Sequence, residues 1–294
     1  MARLPVSIAN VYFIGEPGSS WTLVDAGTPD RANQIKAAAE ARFGPGTKPT
    51  AIVLTHGHFD HAGSARELAE IWNVPVYAHP LEFPFLKGQS AYPPKDPTVG
   101  GFMALLSRFF PSKRIDLGSC LQALPENGEV PGLPGWSWHH TPGHAPGQVS
   151  LFTQERSILL CGDAFTTLDL DSFTAMITQT RKISRPPAPM TYDWTQAHHS
   201  VEFLAGLRPY LVGAGHGVPM SGLNVAHELS ALARHFPAPR YGRYAWQPAI
   251  TDASGTRYVP PAPPDPLPAK AAIGVLAMAA VGYALARRKP GDRF

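Results

Sequence analysis

The chain has 294 residues, 44% hydrophobic and 16% charged, which excludes a disordered chain and is poorer in charge than the roughly 25% of an average soluble protein. The net charge is +3, and the one dense basic run, Arg287-Arg288-Lys289, sits at the C-terminal end, so the basic stripes expected of a nucleic-acid binder are missing. Two cysteines, Cys120 and Cys161, exclude a disulfide framework and a thiolate zinc site, whereas 12 histidines and 32 prolines need an explanation.

Residues 6–14 and 20–24 are apolar and β-prone, separated by Glu16-Pro17-Gly18-Ser19, so two strands joined by a turn are predicted. Asp25-Ala26-Gly27 ends the second strand. Thr28-Pro29-Asp30 then opens a helix, with Thr28 as N-cap and Pro29 at the first helical position. Ile35, Ala38 and Ala39 share one face of it, and Gly44 stops it. Residues 51–54 read as a short buried strand. Ala65, Leu68, Ala69 and Trp72 have helical spacing within 64–73, and 74–78 return to strand. From 80 to 118 the periodicity fails. Aromatic side chains mix there with prolines, and a stretch so apolar implies an ordered lid or short helical insert. Residues 81–110 are expected to wall the site.

Strands resume at 135–140, 148–153 and 157–160, and 166–191 is again irregular. Asp193 caps a helix carrying Ala197, Val201 and Leu204, residues 211–212 form a last short strand, and 223–236 a last helix. Strands and helices interleave, so the fold class is mixed α/β (α+β), with sheet inside and helices outside.

The tail reads separately from this domain of residues 1–258. Six prolines fall within 259–268, which predicts a semi-rigid linker over 259–269. Residues 271–286 then run without a charge between Lys270 and the terminal arginines. As a helix they span about 24 Å at about 1.5 Å per residue, short of the roughly 30 Å of a hydrocarbon core. The expectation is a C-terminal hydrophobic helix over 270–289 that anchors the protein to a membrane, its basic ends snorkelling to the interfaces. With no secretory signal visible in the first residues and only two cysteines, the catalytic domain is expected in the cytoplasm.

The chemistry concentrates in Thr55-His56-Gly57-His58-Phe59-Asp60-His61. Three imidazoles and a carboxylate within six residues suit a borderline metal such as zinc. His56 and His58, two apart, point the same way in extended backbone. Asp60 and His61 lie beyond a turn and can serve a second position nearby. Further ligands stand in loops that follow strands: His144 in Pro142-Gly143-His144-Ala145-Pro146-Gly147, Asp163 in Cys161-Gly162-Asp163-Ala164, and His216 in Gly213-Ala214-Gly215-His216-Gly217. The other seven histidines, among them His139 and His140 beside the metal loop, read as packed or solvated residues.

The motif His-x-His-x-Asp-His followed by His, Asp and His in that order resembles the metallo-β-lactamase superfamily over roughly residues 5–236. The resemblance implies a four-layer αββα sandwich with the site at one edge of two sheets. It further implies that His56, His58 and His144 hold a first metal, that Asp60, His61 and His216 hold a second, and that Asp163 bridges them. Two divalent ions, zinc before iron or manganese, would bring a bridging water towards a pKa of about 7. That hydroxide would hydrolyse an ester, lactone or thioester of a small molecule, with Asp60 as the catalytic residue that orients it or carries its proton. The bridging Asp163 is unlike true β-lactamases, and Thr166 stands where acyl-homoserine lactonases often carry a tyrosine, a place Tyr192 could fill. Two alternatives are a mononuclear-iron, persulfide-dioxygenase-like oxidoreductase on the His56, His58, His144 face and a membrane-tethered binding module without catalysis. No nucleic-acid partner is expected.

Overall fold

In this computed structural model, residues 1–111, 114–265 and 267 are described. The first sheet is laid down in chain order by β1 (Ala2–Val6), β2 (Ala9–Ile14), β3 (Thr22–Val24), β4 (Ala51–Val53), β5 (Val76–Ala78) and β6 (Leu121–Ala123). Tight turns make β1, β2 and β3 antiparallel. From β3 onward the strands run parallel, because helices α1 (Ala32–Phe43) and α3 (Ala65–Trp72) carry the chain back across the sheet. Every residue of β2 and β4 is buried, which is why these strands read as continuous apolar runs.

The second sheet takes β7 (Glu129–Val130), β8 (Leu133–His140), β9 (Val149–Thr153) and β10 (Ile158–Leu160). The chain then leaves it for a separate ladder of β11 (Thr166–Leu168) and β12 (Arg181–Ser184), and returns with β13 (Leu211–Gly213) and β14 (Met220–Ser221). The order is β14-β13-β10-β9-β8-β7, parallel only between β10 and β13. That parallel pair is bridged by a crossover containing α7 (Trp194–Gly206). Helix α8 (Leu223–Arg234) follows the sheet, and β15 (Ile250–Asp252) and β16 (Gly255–Tyr258) close as a hairpin.

Three apolar clusters define the layers. Ile35, Ala39, Leu68 and Trp72 from α1 and α3 pack on Leu23, Ile52 and Val76 of the first sheet. Tyr12, Val24 and Val53 of that sheet meet Val149, Leu151 and Leu160 of the second. Leu159 and Val212 then meet Val201, Leu204, Val225 and Leu229 of α7 and α8. The succession is helix, sheet, sheet, helix. The first layer is stiffened by Trp21, whose ring stacks on Phe43 at 4.5 Å and meets Trp72 edge-on at 5.7 Å.

Several expectations shift at their edges for local reasons. Residues 6–14 are not one strand, because Ser7 takes a left-handed φ of 56° and turns the chain between β1 and β2. The first helix starts at Ala32 rather than near Thr28, since Asp30 is also left-handed, with φ 62°. Helix α3 stops where Asn73 closes it in the left-handed conformation. Asp193 caps α7 as expected, its side chain accepting the Gln196 N–H at 2.9 Å. Among the described residues, the stretch 80–118 includes a 3₁₀ turn (Pro80–Glu82) and the short helices α4 (Phe83–Leu86) and α5 (Phe102–Ser107), and 166–191 includes β11, α6 (Phe173–Thr178), β12 and a 3₁₀ turn (Ala188–Met190).

The membrane reading is corrected. No helix among the described residues is long and apolar enough to cross a membrane, and a sixteen-residue uncharged run falls short of the hydrocarbon thickness. Residues 270–289 themselves lie outside the described residues, so the transmembrane and anchor assignments have no support. The described part of the linker rests on the body: Asp265 pairs with Arg108 at 2.7 Å, and the Tyr241 hydroxyl donates to the Pro264 carbonyl at 2.5 Å.

One buried side chain ties the first sheet to a ligand loop of the second. Asn10 on β2 is 2% exposed, and its amide nitrogen donates to the carbonyls of Ala214 and Gly217 at 2.8 and 2.7 Å. Removing it leaves the buried Gly217 carbonyl unpaired, while the Ala214 carbonyl keeps its bond from the Tyr12 hydroxyl. Asn10→Ala is expected to lower stability by about 1–3 kcal/mol, read as a lower urea midpoint with an unchanged slope.

Candidate metal centre

The ligand positions all follow strands. Just beyond β4, residues 55–58 are extended at His58 (φ −64°, ψ 154°) before the four-residue helix α2 (Phe59–Ala62) turns Asp60 and His61 inward. His144 lies between β8 and β9, Asp163 after β10, and His216 after β13. The loop at His216 must pass so close to the centre that a Cβ on Gly215 would overlap the Asp163 carboxylate and the His61 ring.

The structure brings all seven residues expected from the sequence together. Each is at most 4% exposed. Three overlapping groups have ligand atoms within 4.8 Å of one another: His56, His58 and His144; His56, His61 and Asp163; and Asp60, His61 and His216. Asp163 is central. Its Oδ2 lies 3.1 Å from His216 Nε2, 3.5 Å from His144 Nε2 and 3.6 Å from His61 Nε2. Asp60 Oδ2 stands 3.5 Å from His216 Nε2.

What holds the rings is a set of outward hydrogen bonds. The His61 Nδ1–H donates to Asp25 Oδ2 at 2.7 Å, and the His216 Nδ1–H to the Ile8 carbonyl at 2.7 Å. The Thr55 hydroxyl gives its proton to Asp25, so its oxygen accepts from His56 Nδ1 at 3.1 Å. The Thr191 hydroxyl likewise donates to the Pro187 carbonyl and accepts from His144 Nδ1 at 3.2 Å. Those four rings therefore turn Nε2 toward the centre. His58 is reversed: its Nε2 faces the Tyr192 hydroxyl at 3.2 Å, and its Nδ1 faces His144 Nε2 at 3.0 Å. Such outer partners are what orient histidine ligands in metal sites.

Four of the inward atoms lack partners of their own. His56 Nε2, His61 Nε2, Asp60 Oδ1 and Asp163 Oδ1 are buried without a hydrogen bond. Converging lone pairs and unpaired carboxylate oxygens are costly unless a cation sits among them, so the residues present fit metal ions. The electrostatics agree. Burial and the neighbouring imidazoles hold His56 and His58 well below the usual histidine pKa, and burial brings His144 down to about 3. Burial opposes charge at His61 and His216, but Asp163 and nearby carboxylates outweigh it and raise both. Burial likewise opposes charge at Asp163, yet His216 and His61 pull it well below the carboxylate range.

Several residues around the centre carry no sequence motif. Asp25 anchors both Thr55 and His61. Glu82, fully buried, accepts the Gly57 N–H at 2.8 Å and the Gly147 N–H at 2.6 Å, and takes a further bond from the Tyr92 hydroxyl. It thus joins the loop of His56 and His58 to the loop of His144. The only hint in the sequence is its place four residues after β5. His140, by contrast, binds the Pro146 carbonyl at 2.8 Å and no ligand ring. A cavity of about 340 Å³ opens beside His58 and Tyr192, lined largely by the insert, including Phe85, Tyr92, Lys95 and Phe110. A cleft of about 10 Å³ touches Asp60, Asp163 and His216 and shares Phe110 and Met190 with that cavity.

The sequence model of the metallo-beta-lactamase superfamily matches residues 4–216. The chain is 46% identical over 233 residues to the probable metallo-hydrolase YflN of Bacillus subtilis (strain 168), covering 78% of this chain and 88% of that one. It is 29% identical to the probable metallo-hydrolase YybB of the same organism, over 73% of this chain and 82% of the other. Among solved structures it resembles TTHA1623 in a di-iron-bound form (28% identity, 76% of this chain and 96% of that one, TM-score 0.52). It also resembles the B3 metallo-beta-lactamase BLEG-1 (25% identity, 77% and 97%, TM-score 0.52). The chain belongs to the metallo-β-lactamase superfamily and is a metal-dependent hydrolase of that superfamily.

Glu82 yields a test of the outer frame. In Glu82→Gln one acceptor oxygen becomes an NH₂ that confronts an N–H or the Tyr92 hydroxyl. The variant is expected to stay folded by circular dichroism but to bind metal about 10–100-fold more weakly, as outer-shell losses do. Metal retention after dialysis against a graded chelator measures this.

Proposed function

We propose that the protein hydrolyses an ester, lactone or thioester of a small molecule with two divalent metal ions. His56, His58 and His144 would hold one ion, Asp60, His61 and His216 the other, and Asp163 would lie between them. The observation that carries this reading is the position of Asp163 Oδ2, within 3.6 Å of nitrogens from both sets. Zinc suits a histidine and carboxylate site. The di-iron form of TTHA1623 makes iron the next candidate, followed by manganese. When bound, such ions acidify a water molecule and polarise a carbonyl.

The chain's own residues supply the rest. Asp60 has a buried, unpartnered Oδ1, and burial raises its pKa against the pull of His61 and His216. It is suited to receive the proton of the attacking water and pass it on. Tyr192 accepts from His58 Nε2, so its own hydroxyl proton is free for a bond in the cavity that it lines. There it can donate to the substrate carbonyl or to the departing oxygen or sulfur. The acyl–oxygen or acyl–sulfur bond breaks, the acid takes the water oxygen, and the leaving group takes the proton.

Metal quantification paired with phenyl-ester, lactone and thioester substrates tests the proposal, with a phosphodiester as contrast. Two ions and turnover of a carbonyl substrate support it. One iron with oxygen consumption would replace it with the dioxygenase reading. Asp163→Asn is expected to bind fewer than two ions and to lose more than about a hundredfold in turnover, beyond the range of outer-shell losses, with the melting temperature of the metal-free protein little changed.

Acid should empty the two positions in order. A proton and a metal ion compete for the same lone pair. His61 and His216, with raised pKa values, take protons first as pH falls, whereas His56, His58 and His144 stay neutral until far lower pH, for His144 about 3. Metal content at successively lower pH is expected to step from two to one before reaching zero. A single concerted loss would contradict the assignment of the two sets.

A further inference from the structure

The cavity beside His58 combines two features that together describe its occupant. Its body is apolar: the Phe85 and Tyr92 rings stack at 4.1 Å, and Phe110 and Ile115 add to the wall. Its volume of about 340 Å³ lies at the small end of ligand pockets, room for a compact molecule. Yet its lining also carries Lys95, Arg108 and Arg114, and no Asp or Glu.

The three cations are not equivalent. Arg108 is neutralised by Asp265 through two hydrogen bonds of 2.7 and 3.2 Å. Lys95 donates to the Phe110 carbonyl, and Arg114 to the Gly88 carbonyl at 3.1 Å. Neither has a carboxylate partner among the described residues. Lys95 is half-buried and Arg114 exposed, so the two place unneutralised positive charge at the rim of an apolar cavity, which favours a ligand that brings negative charge.

We infer that the substrate is an amphipathic anion: a compact apolar carboxylic ester, lactone or thioester with one carboxylate, sulfonate or phosphate, held by Lys95 and Arg114 while its apolar part fills the cavity. The inference rests on the hydrolase reading, since the cavity reaches the metal centre at Gly57, His58, Phe59 and Tyr192. It goes further by assigning specificity to Lys95 and Arg114, which lie outside the ligand motifs.

The test uses metal-loaded protein and two ligands of equal chain length, octane-1-sulfonate and octan-1-ol, with a sulfonate chosen because it is a poor ligand for zinc. Titration calorimetry is expected to show the sulfonate binding at least about tenfold more tightly, the scale of one charge-assisted contact. In the variant Lys95→Ala/Arg114→Ala the two affinities should converge, with a melting temperature near that of the parent chain showing that it folds. Lys95→Arg should keep the preference. Octane-1-sulfonate should also raise KM for a phenyl ester without changing kcat, which places it in the substrate's path. Equal binding of the two ligands, or a preference that survives the double variant, would overturn the inference. The two readings fail separately. Hydrolysis without charge preference removes this one alone, whereas preference for the sulfonate without turnover of any carbonyl substrate upholds it and removes the hydrolase reading.

Discussion

The centre depends on one constraint: each of five buried imidazoles must be held outward by one nitrogen so that the other faces the centre. Water would otherwise satisfy both nitrogens, and buried rings left free would turn to bond each other or the carboxylates. Asp25 sets two of them, directly at His61 and through Thr55 at His56. Thr191 and the Ile8 carbonyl set two more, and the Tyr192 hydroxyl sets His58. The cost of burying seven polar side chains is bearable because every ring has an outward bond and the inward atoms await cations.

The two sheets exist, from the viewpoint of the site, to deliver strand ends. β4 delivers His56 and His58, β10 delivers Asp163, and β13 delivers His216. The apolar faces between the sheets hold those ends in register, and Asn10 and Tyr12 of the first sheet both bond the Ala214 carbonyl in the loop that carries His216. Stability and ligand geometry are therefore linked through the same few hydrogen bonds.

The seven side chains that the fold gathers could be picked out in the sequence by residue type and place: four metal-type side chains within six residues after an apolar strand, then single His or Asp residues in glycine-rich loops after later strands. Helices α3 and α7 were legible from apolar periodicity and from the Asp193 cap. Asp25, Glu82 and Thr191 were not, because each acts through a contact across the fold, and a lone acidic or hydroxyl residue has no periodic signature. Tyr192 was visible only as a candidate. The short strands β6, β7 and β14 and helix α2 were missed because two to four residues carry too little pattern. The membrane expectation leaned on composition in a segment too short to span.

Glu82 makes the first ligand face a single mechanical piece. Its one carboxyl group grips Gly57 and Gly147, 90 positions apart in the chain, so neither loop can lift without breaking a buried hydrogen bond. Fluctuations that would bare His56, His58 or His144 separately are suppressed, and the loops can open only together, with free energy closer to that of wider unfolding. If the proposed first ion sits there, its departure is tied to this joint opening, so how long it stays depends on a residue that does not touch it.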